Sequence, residues 1–260
     1  RLRQKVAFQM ALRKMIDRNR CAATSRTVTR LSAMTPPASP FNDPQSVATY
    51  AEGPARNVPG WADMMRMTDL LLVEQAPDDA NVLVVGAGGG LELKRLAEAH
   101  AGWRFVGVDP SNEMLKLAHA TLGPLADRAE LQEGYVDSAP EGPFDAATCL
   151  LVLHFVPVDE RRRLLAEVKR RLRPGAPFVV VHLSFPQAPA ERAVWLGRYA
   201  AFIASSGVDM AKARAGAEAV GERLSILSPH DDEVMLREAG FADVQLFYAG
   251  LAFRGWVGCA

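Results

Sequence analysis

Between residues 61 and 76 apolar side chains recur at helical spacing, with Met64, Met65, Thr68, Leu71 and Leu72 on one face. The pattern then changes: residues 81–85 form a short β-branched run that stops at glycines. Helix-like and strand-like stretches follow one another from there. The spacing predicts helices over 91–100, 111–122 and 158–172, and strands over 104–108, 129–132, 144–150 and 178–183. Strands separated by helices of this length predict an α/β fold, a doubly wound and mostly parallel sheet with helices on both faces.

Two stretches depart from simple alternation. Residues 186–226, with Trp195, Tyr199, Phe202 and Ile203, read as a helical insertion able to cover a pocket as a lid. Trp195, Arg198, Tyr199 and Phe202 fall at i, i+3, i+4 and i+7, so one aromatic stripe either packs beneath the sheet or lines that pocket. The chain closes with a helix over 231–239 and two strand runs, 244–248 and 252–257, joined by a turn containing Gly250. That ending predicts an antiparallel hairpin at one sheet edge. Arg161, Arg162, Arg163 and the basic run 169–173 predict a solvated helix face.

A composition of 49% hydrophobic and 23% charged residues over 260 positions is that of one globular domain with a full core. Charge changes the picture at the start of the chain. Residues 1–34 hold nine Lys or Arg against the single acid Asp17, a net +8, so residues 35–260 carry −8 to reach the zero total. Residues 1–45 therefore read as a basic extension, followed by a linker broken by Pro36, Pro37, Pro40 and Pro44, that forms no regular structure. The domain is expected over 46–260. Its acidic body disfavours nucleic acid, whose phosphates demand Lys and Arg. No apolar run approaches the roughly 18 to 20 residues of a membrane span. Cys21, Cys149 and Cys259 are too few and too scattered for a disulfide framework or a metal site, so a reducing, cytoplasmic setting is expected.

The strongest chemical signal is residues 82–92, a strand that runs through Gly86, Ala87, Gly88, Gly89 and Gly90 into a helix. Glycines there allow a tight turn and let a ligand approach the backbone. A dinucleotide fingerprint from Gly86 needs a glycine where Leu91 stands, so the spacing that fits is GxGxG. Asp109 ends the next strand, 19 residues beyond Gly90, where a carboxylate can accept both hydroxyls of a ribose. The blander role for Asp109, a helix cap, is better filled by Ser111. His154 follows the fourth predicted core strand, at the edge where ligands of open α/β sheets bind, and is the candidate general base. It reads equally well as a packing residue, and His182 reads as core.

Taken in order, these stretches resemble the class I S-adenosylmethionine (SAM) methyltransferases, whose fold is Rossmann-like with an edge hairpin. The likeness runs from Trp61 to the final hairpin. The GxGxG loop matches the family's first motif, Asp109 its ribose acid, residues 134–137 its adenine segment, 144–154 its fourth-strand motif, and 170–176 its turn before the fifth strand. The resemblance implies SAM as cofactor, with Gly86, Ala87, Gly88, Gly90, Asp109, Pro110, Met114, Tyr135, Val136 and Leu150 around it, and a narrower likeness adds Trp61 as an aromatic contact. No metal is implied. The family usually carries an acid two residues before the first glycine; here that position is Val84, and Glu92 is the candidate substitute.

A narrower likeness links residues 55–61 and the stretch from Ala239 onward to bacterial tRNA wobble-uridine methyltransferases of the carboxymethoxy pathway. Leu150 and Tyr135 replace two of that group's cofactor-contacting polar residues, so the likeness reads as ancestry rather than shared substrate. A small-molecule acceptor is expected, with wobble uridine as the alternative. A nicotinamide oxidoreductase and an idle cofactor-binding module are the further alternatives. The sequence leaves acceptor and oligomeric state open.

Overall fold

The computed structural model describes Phe41, Val47 and residues 53–260. The basic extension and most of its linker lie outside the described residues. A short helix α1 (Gly53–Asn57) leads into α2 (Trp61–Val73). Then come β1 (Asn81–Val85), α3 (Leu91–Ala99), β2 (Arg104–Asp109), α4 (Asn112–Leu122) and β3 (Ala129–Glu133). β4 (Ala146–Leu150), α5 (Val158–Arg171) and β5 (Pro177–Leu183) complete the parallel part. Helices α6 (Pro189–Ser205) and α7 (Met210–Arg223) fall within residues 186–226, and α8 (Pro229–Glu238), β6 (Ala242–Gly250) and β7 (Phe253–Cys259) follow them.

The seven strands lie in the order β3-β2-β1-β4-β5-β7-β6. The first five are parallel, and β7 runs antiparallel to both β5 and β6. The fold class read from the pattern is the one observed. β1 shows why the sheet reads as unbroken apolar runs: Val82 and Val84 enter one core, Leu83 and Val85 the other, and all four are buried. Each such side chain contributes roughly 1.5–3 kcal/mol, so both faces must be covered. One core gathers residues of α2, α3, α4, α6 and α7 with Trp103, and the other those of α5 and α8 with Trp256.

Several boundaries moved for identifiable reasons. The last helix starts at Pro229 rather than 231, because Ser228 caps it by accepting the Asp231 amide and Pro229 needs no donor at the first turn. The hairpin strands are longer than their apolar runs, since β7 pairs along the whole of β5 while β6 absorbs two register shifts.

The basic face of α5 is not all solvated. Arg161 and Arg171 are fully buried, at 0% and 1% exposure. Arg161 donates to Asp232 on α8 at 2.9 Å, to the Leu153 carbonyl at 2.8 Å and to the Ser225 carbonyl at the end of the insertion. His182 on β5 lies 3.1 Å from the same Asp232 oxygen. Burial alone would raise the Asp232 carboxyl, but His182, Ser184 and Arg161 outweigh it and hold it below its ordinary value. Charge counting could not separate Arg161 from its solvated neighbours, because Asp232 lies 71 residues on, and Arg171, which pairs with Glu167 one turn back, is buried by the segment whose Asp137 and Ala139 carbonyls it also meets.

Removing one member of a buried pair strands the other charge, which costs about 3–5 kcal/mol. Asp232→Ala is therefore expected to lower the urea-unfolding free energy by about that amount. A loss below about 1 kcal/mol, the worth of an exposed pair, would show the network to be dispensable.

Candidate active site

The site begins where β1 runs out. Gly86, Gly88 and Gly90 take φ angles of 74°, 49° and 78°, a left-handed region that disfavours side chains. Space is short as well: a Cβ on Gly86 would stand 2.2 Å from Val152 Cγ2, and one on Gly90 2.8 Å from the Ala118 backbone. The Gly86 and Ala87 amides both donate to the Val108 carbonyl, at 2.8 and 3.0 Å. Gly90 then caps α3 without any side-chain acceptor, leaving the helix's first amides without a side-chain partner.

Asp109 ties this loop to β2. Its Oδ2 accepts the Gly88 amide at 2.9 Å and its Oδ1 the Ser111 amide at 2.9 Å. Burial lifts the carboxyl above its ordinary value, against those two amides. Ser111 caps α4 as expected, accepting the Met114 amide at 3.2 Å. The Gly134 amide donates to the Asp109 carbonyl at 3.0 Å, which brings the start of the 134–137 segment beside the β2 end. Tyr135 is exposed there, whereas Val136 and Met114 are buried.

A narrow cleft opens on the other side of β1, lined by Pro54, Trp61, Gly86, Ala87, Gly89, Leu91, Glu92, Leu150 and Leu151. Trp61, Gly86, Ala87 and Leu150 therefore share one cleft. Asp109, Pro110, Tyr135 and Val136 gather at the ends of β2 and β3 instead. A wider groove of ≈ 380 Å³ lies at the opposite edge of the sheet, against Asn81, Arg104 and Ala129, away from these groups. Sequence reasoning missed Pro54 and Leu151. Leu151 has a φ of 62°, unusual for a residue with a side chain, and its amide bonds the Val181 carbonyl at 2.6 Å. Nothing in the local sequence signals that strain.

Comparison with known proteins identifies the arrangement. The methyltransferase domain family matches residues 82–175, the stretch from the glycine loop to the turn before β5. Over 231 residues the chain is 24% identical to the carboxy-S-adenosyl-L-methionine synthase of Dichelobacter nodosus, covering 84% of this chain and 95% of that protein. It is 30% identical over 180 residues to the trans-aconitate 2-methyltransferase of an Azoarcus species, covering 68% of this chain and 66% of that one. An O-methyltransferase family protein from Burkholderia thailandensis superposes with a TM-score of 0.63 at 16% identity, over 84% of this chain. The match covers 61% of that structure, so the chain spans under two thirds of its length. This chain is a class I SAM-dependent methyltransferase. The narrower likeness, to wobble-uridine methyltransferases, finds no counterpart in these matches.

The residues present suit SAM. Asp109 offers acceptor lone pairs beyond those its two amides use, the start of α3 has no side-chain cap and would suit a carboxylate, and Glu92 Oε1 is buried without a hydrogen-bond partner. Among the described residues no His, Cys, Asp or Glu cluster is placed to hold a metal, and no helix is long and apolar enough to cross a membrane.

The methyltransferase does not bring His154 into the cleft. Its ring is buried, its Nδ1 accepts the Leu183 amide at 3.2 Å, and its carbonyl accepts the Ser225 amide at 3.0 Å. An imidazole accepting an amide through Nδ1 carries its proton on Nε2 and is neutral. Burial, with His182 and Arg161 nearby, holds its pKa well below the ordinary value. His154 thus fastens the end of β5 to the end of the insertion. His182 is core, as read, packed 5.4 Å from the Trp256 ring.

The aromatic stripe divides. Tyr199 is buried against Phe253 at 5.8 Å, whereas Trp195 is half-buried with the Arg198 and Arg254 guanidiniums over its ring, at 4.5 and 5.2 Å from its centroid.

His154 makes stability depend on pH. The unfolded chain takes up a proton there near pH 6.5, while the folded ring stays neutral, so its contribution is complete above about pH 6.5 and is lost as pH falls. The loss approaches about 1.4 kcal/mol per pH unit below that point. His154→Gln, which keeps an acceptor for the Leu183 amide, is expected to flatten the fall in unfolding free energy between about pH 6.5 and 5. Parallel curves for the two proteins would assign the pH dependence elsewhere.

Proposed function

We propose that this methyltransferase methylates a small, negatively charged acceptor that enters beneath the 186–226 insertion of a 46–260 domain. SAM is held by Trp61, Gly86, Ala87, Gly88, Gly90, Asp109, Pro110, Met114, Tyr135, Val136 and Leu150. The observation that carries the acceptor reading is the pair of guanidiniums on Trp195. Arg198 and Arg254 converge on one ring, and neither forms an ion pair with an acid among the described residues. Arg254 stands opposite His182 near the end of β5, the same sheet edge at which the cleft opens. Two like charges held together favour an anion between them. The Azoarcus relative is itself named for a small-molecule acceptor, trans-aconitate. The net −8 of the body weighs against RNA.

SAM supplies a sulfonium leaving group for an in-line displacement. The protein's share is orientation and exclusion of water. Trp61, Pro54, Leu150 and Leu151 wall the cleft with apolar surface, while the rigid glycine turn and Asp109 fix the adenosyl end. Alignment of this kind can lower the barrier by roughly 7–11 kcal/mol. A carboxylate acceptor is already ionised and needs no base, in keeping with a buried, neutral His154.

Titration calorimetry tests both halves. Asp109→Ala is expected to weaken S-adenosylhomocysteine binding by about 1.5–3 kcal/mol, the worth of bonds to a charged group, while the wild type leaves NAD unbound. Trp195→Ala is expected to keep that affinity and lower kcat/KM for a carboxylate acceptor by about tenfold or more, one cation–π pair and a wall of the pocket being lost. Methylation of unfractionated tRNA in preference to small carboxylic acids would overturn the acceptor reading.

A further inference from the structure

Glu92 is the second residue of α3, and it lines the cleft. It is only 7% exposed, yet Oε1 has no hydrogen-bond partner. The Thr148 hydroxyl on β4 is the one polar neighbour that bears on this carboxyl; it falls outside hydrogen-bond geometry with Oε1, and its lowering effect only partly offsets the burial that pushes the Glu92 carboxyl up to about 7. No cation pairs with it among the described residues. A lone carboxyl in a low-dielectric pocket is unfavourable, and buried polar groups left unpartnered at a site mark what the site is built to receive.

Position says which charge that is. Asp109 ends β2 and Glu92 faces β4, so the two carboxyls flank β1 on opposite sides. A SAM molecule with its ribose on Asp109 and its sulfonium in the cleft would bring its amino-acid arm to the Glu92 side of β1. That arm ends in a carboxylate and an ammonium. The carboxylate suits the uncapped amides at the start of α3, and the ammonium is left facing Glu92. Among the described residues that line the cleft no second side chain is ionisable, and Val84, two residues before Gly86, is fully buried and apolar. Resting on the SAM-binding reading above, we propose that Glu92 binds the α-ammonium group of SAM.

Three ligands separate this role from mere support of the loop. S-adenosylhomocysteine carries both ammonium and carboxylate, its decarboxylated analogue keeps only the ammonium, and methylthioadenosine lacks both. Glu92→Gln, nearly isosteric and free of the buried charge, is expected to retain the wild-type melting temperature or exceed it. By calorimetry it should bind the first two ligands about tenfold more weakly or worse and methylthioadenosine unchanged. Glu92→Asp should weaken the first two less than Glu92→Gln does. Equal weakening of all three ligands by Glu92→Gln, or of none, overturns the proposal. Failure of the wild type to bind any of them would instead sink the SAM reading itself.

Discussion

The Asp109 carboxylate holds the working edge of this sheet together. By accepting the Gly88 amide on one oxygen and the Ser111 amide on the other, it joins the turn after β1 to the start of α4. Both helices that face the site therefore begin from one carboxyl group. The left-handed glycines make that turn reachable, and Val152 and Ala118 press on it closely enough to exclude any larger residue at Gly86 or Gly90. Packing then sets the loop's shape before a ligand arrives, the preorganisation on which orientation depends.

A second buried constraint sits behind the insertion. Arg161, Asp232, His182 and His154 join α5, α8, β5 and the segment after β4, and both Arg161 and His154 hold the backbone of Ser225. Ser184 and Leu227 pair as a bridge at the two stems of the insertion. The helices α6 and α7 are thus clamped at their roots while Trp195 stays half-buried with its two arginines. Polar groups buried this deeply add less net stability than their number suggests, because desolvation offsets most of the attraction. Their directional bonds nonetheless fix where the insertion leaves and rejoins the sheet.

Local signals were legible to the extent that they determined structure locally. β1, β2, β4 and β5 could be read from apolar runs and the glycine turn from its residue types, because strand burial and left-handed φ angles are properties of neighbouring residues. Asp109 was legible through its spacing from Gly90. Arg161 was not: a run of arginines shows no sign of which one meets an acid 71 positions later. His154 was placed at the right edge of the sheet but not in the right orientation, since the group that turns its ring is the Leu183 amide, 29 residues on. Leu151 owes its strain to the β5 backbone beside it. Long-range partners, invisible in a window of a dozen residues, account for each difference.

Tyr248 on β6 donates its hydroxyl to the carbonyl of Pro59, 189 positions earlier, just before the helix that contributes Trp61 to the cleft. β7, the last strand made, lies inside the sheet between β5 and β6. A ribosome delivering this chain from its amino end therefore releases the wall of the cleft long before the strand that secures it. Until β6 and β7 emerge, the outer edge of β5 stays unpaired and Pro59 has no latch. Cofactor capture thus belongs to a chain that already includes β7, and a nascent one stopped short of that strand would expose a long apolar edge to whatever strand it met first.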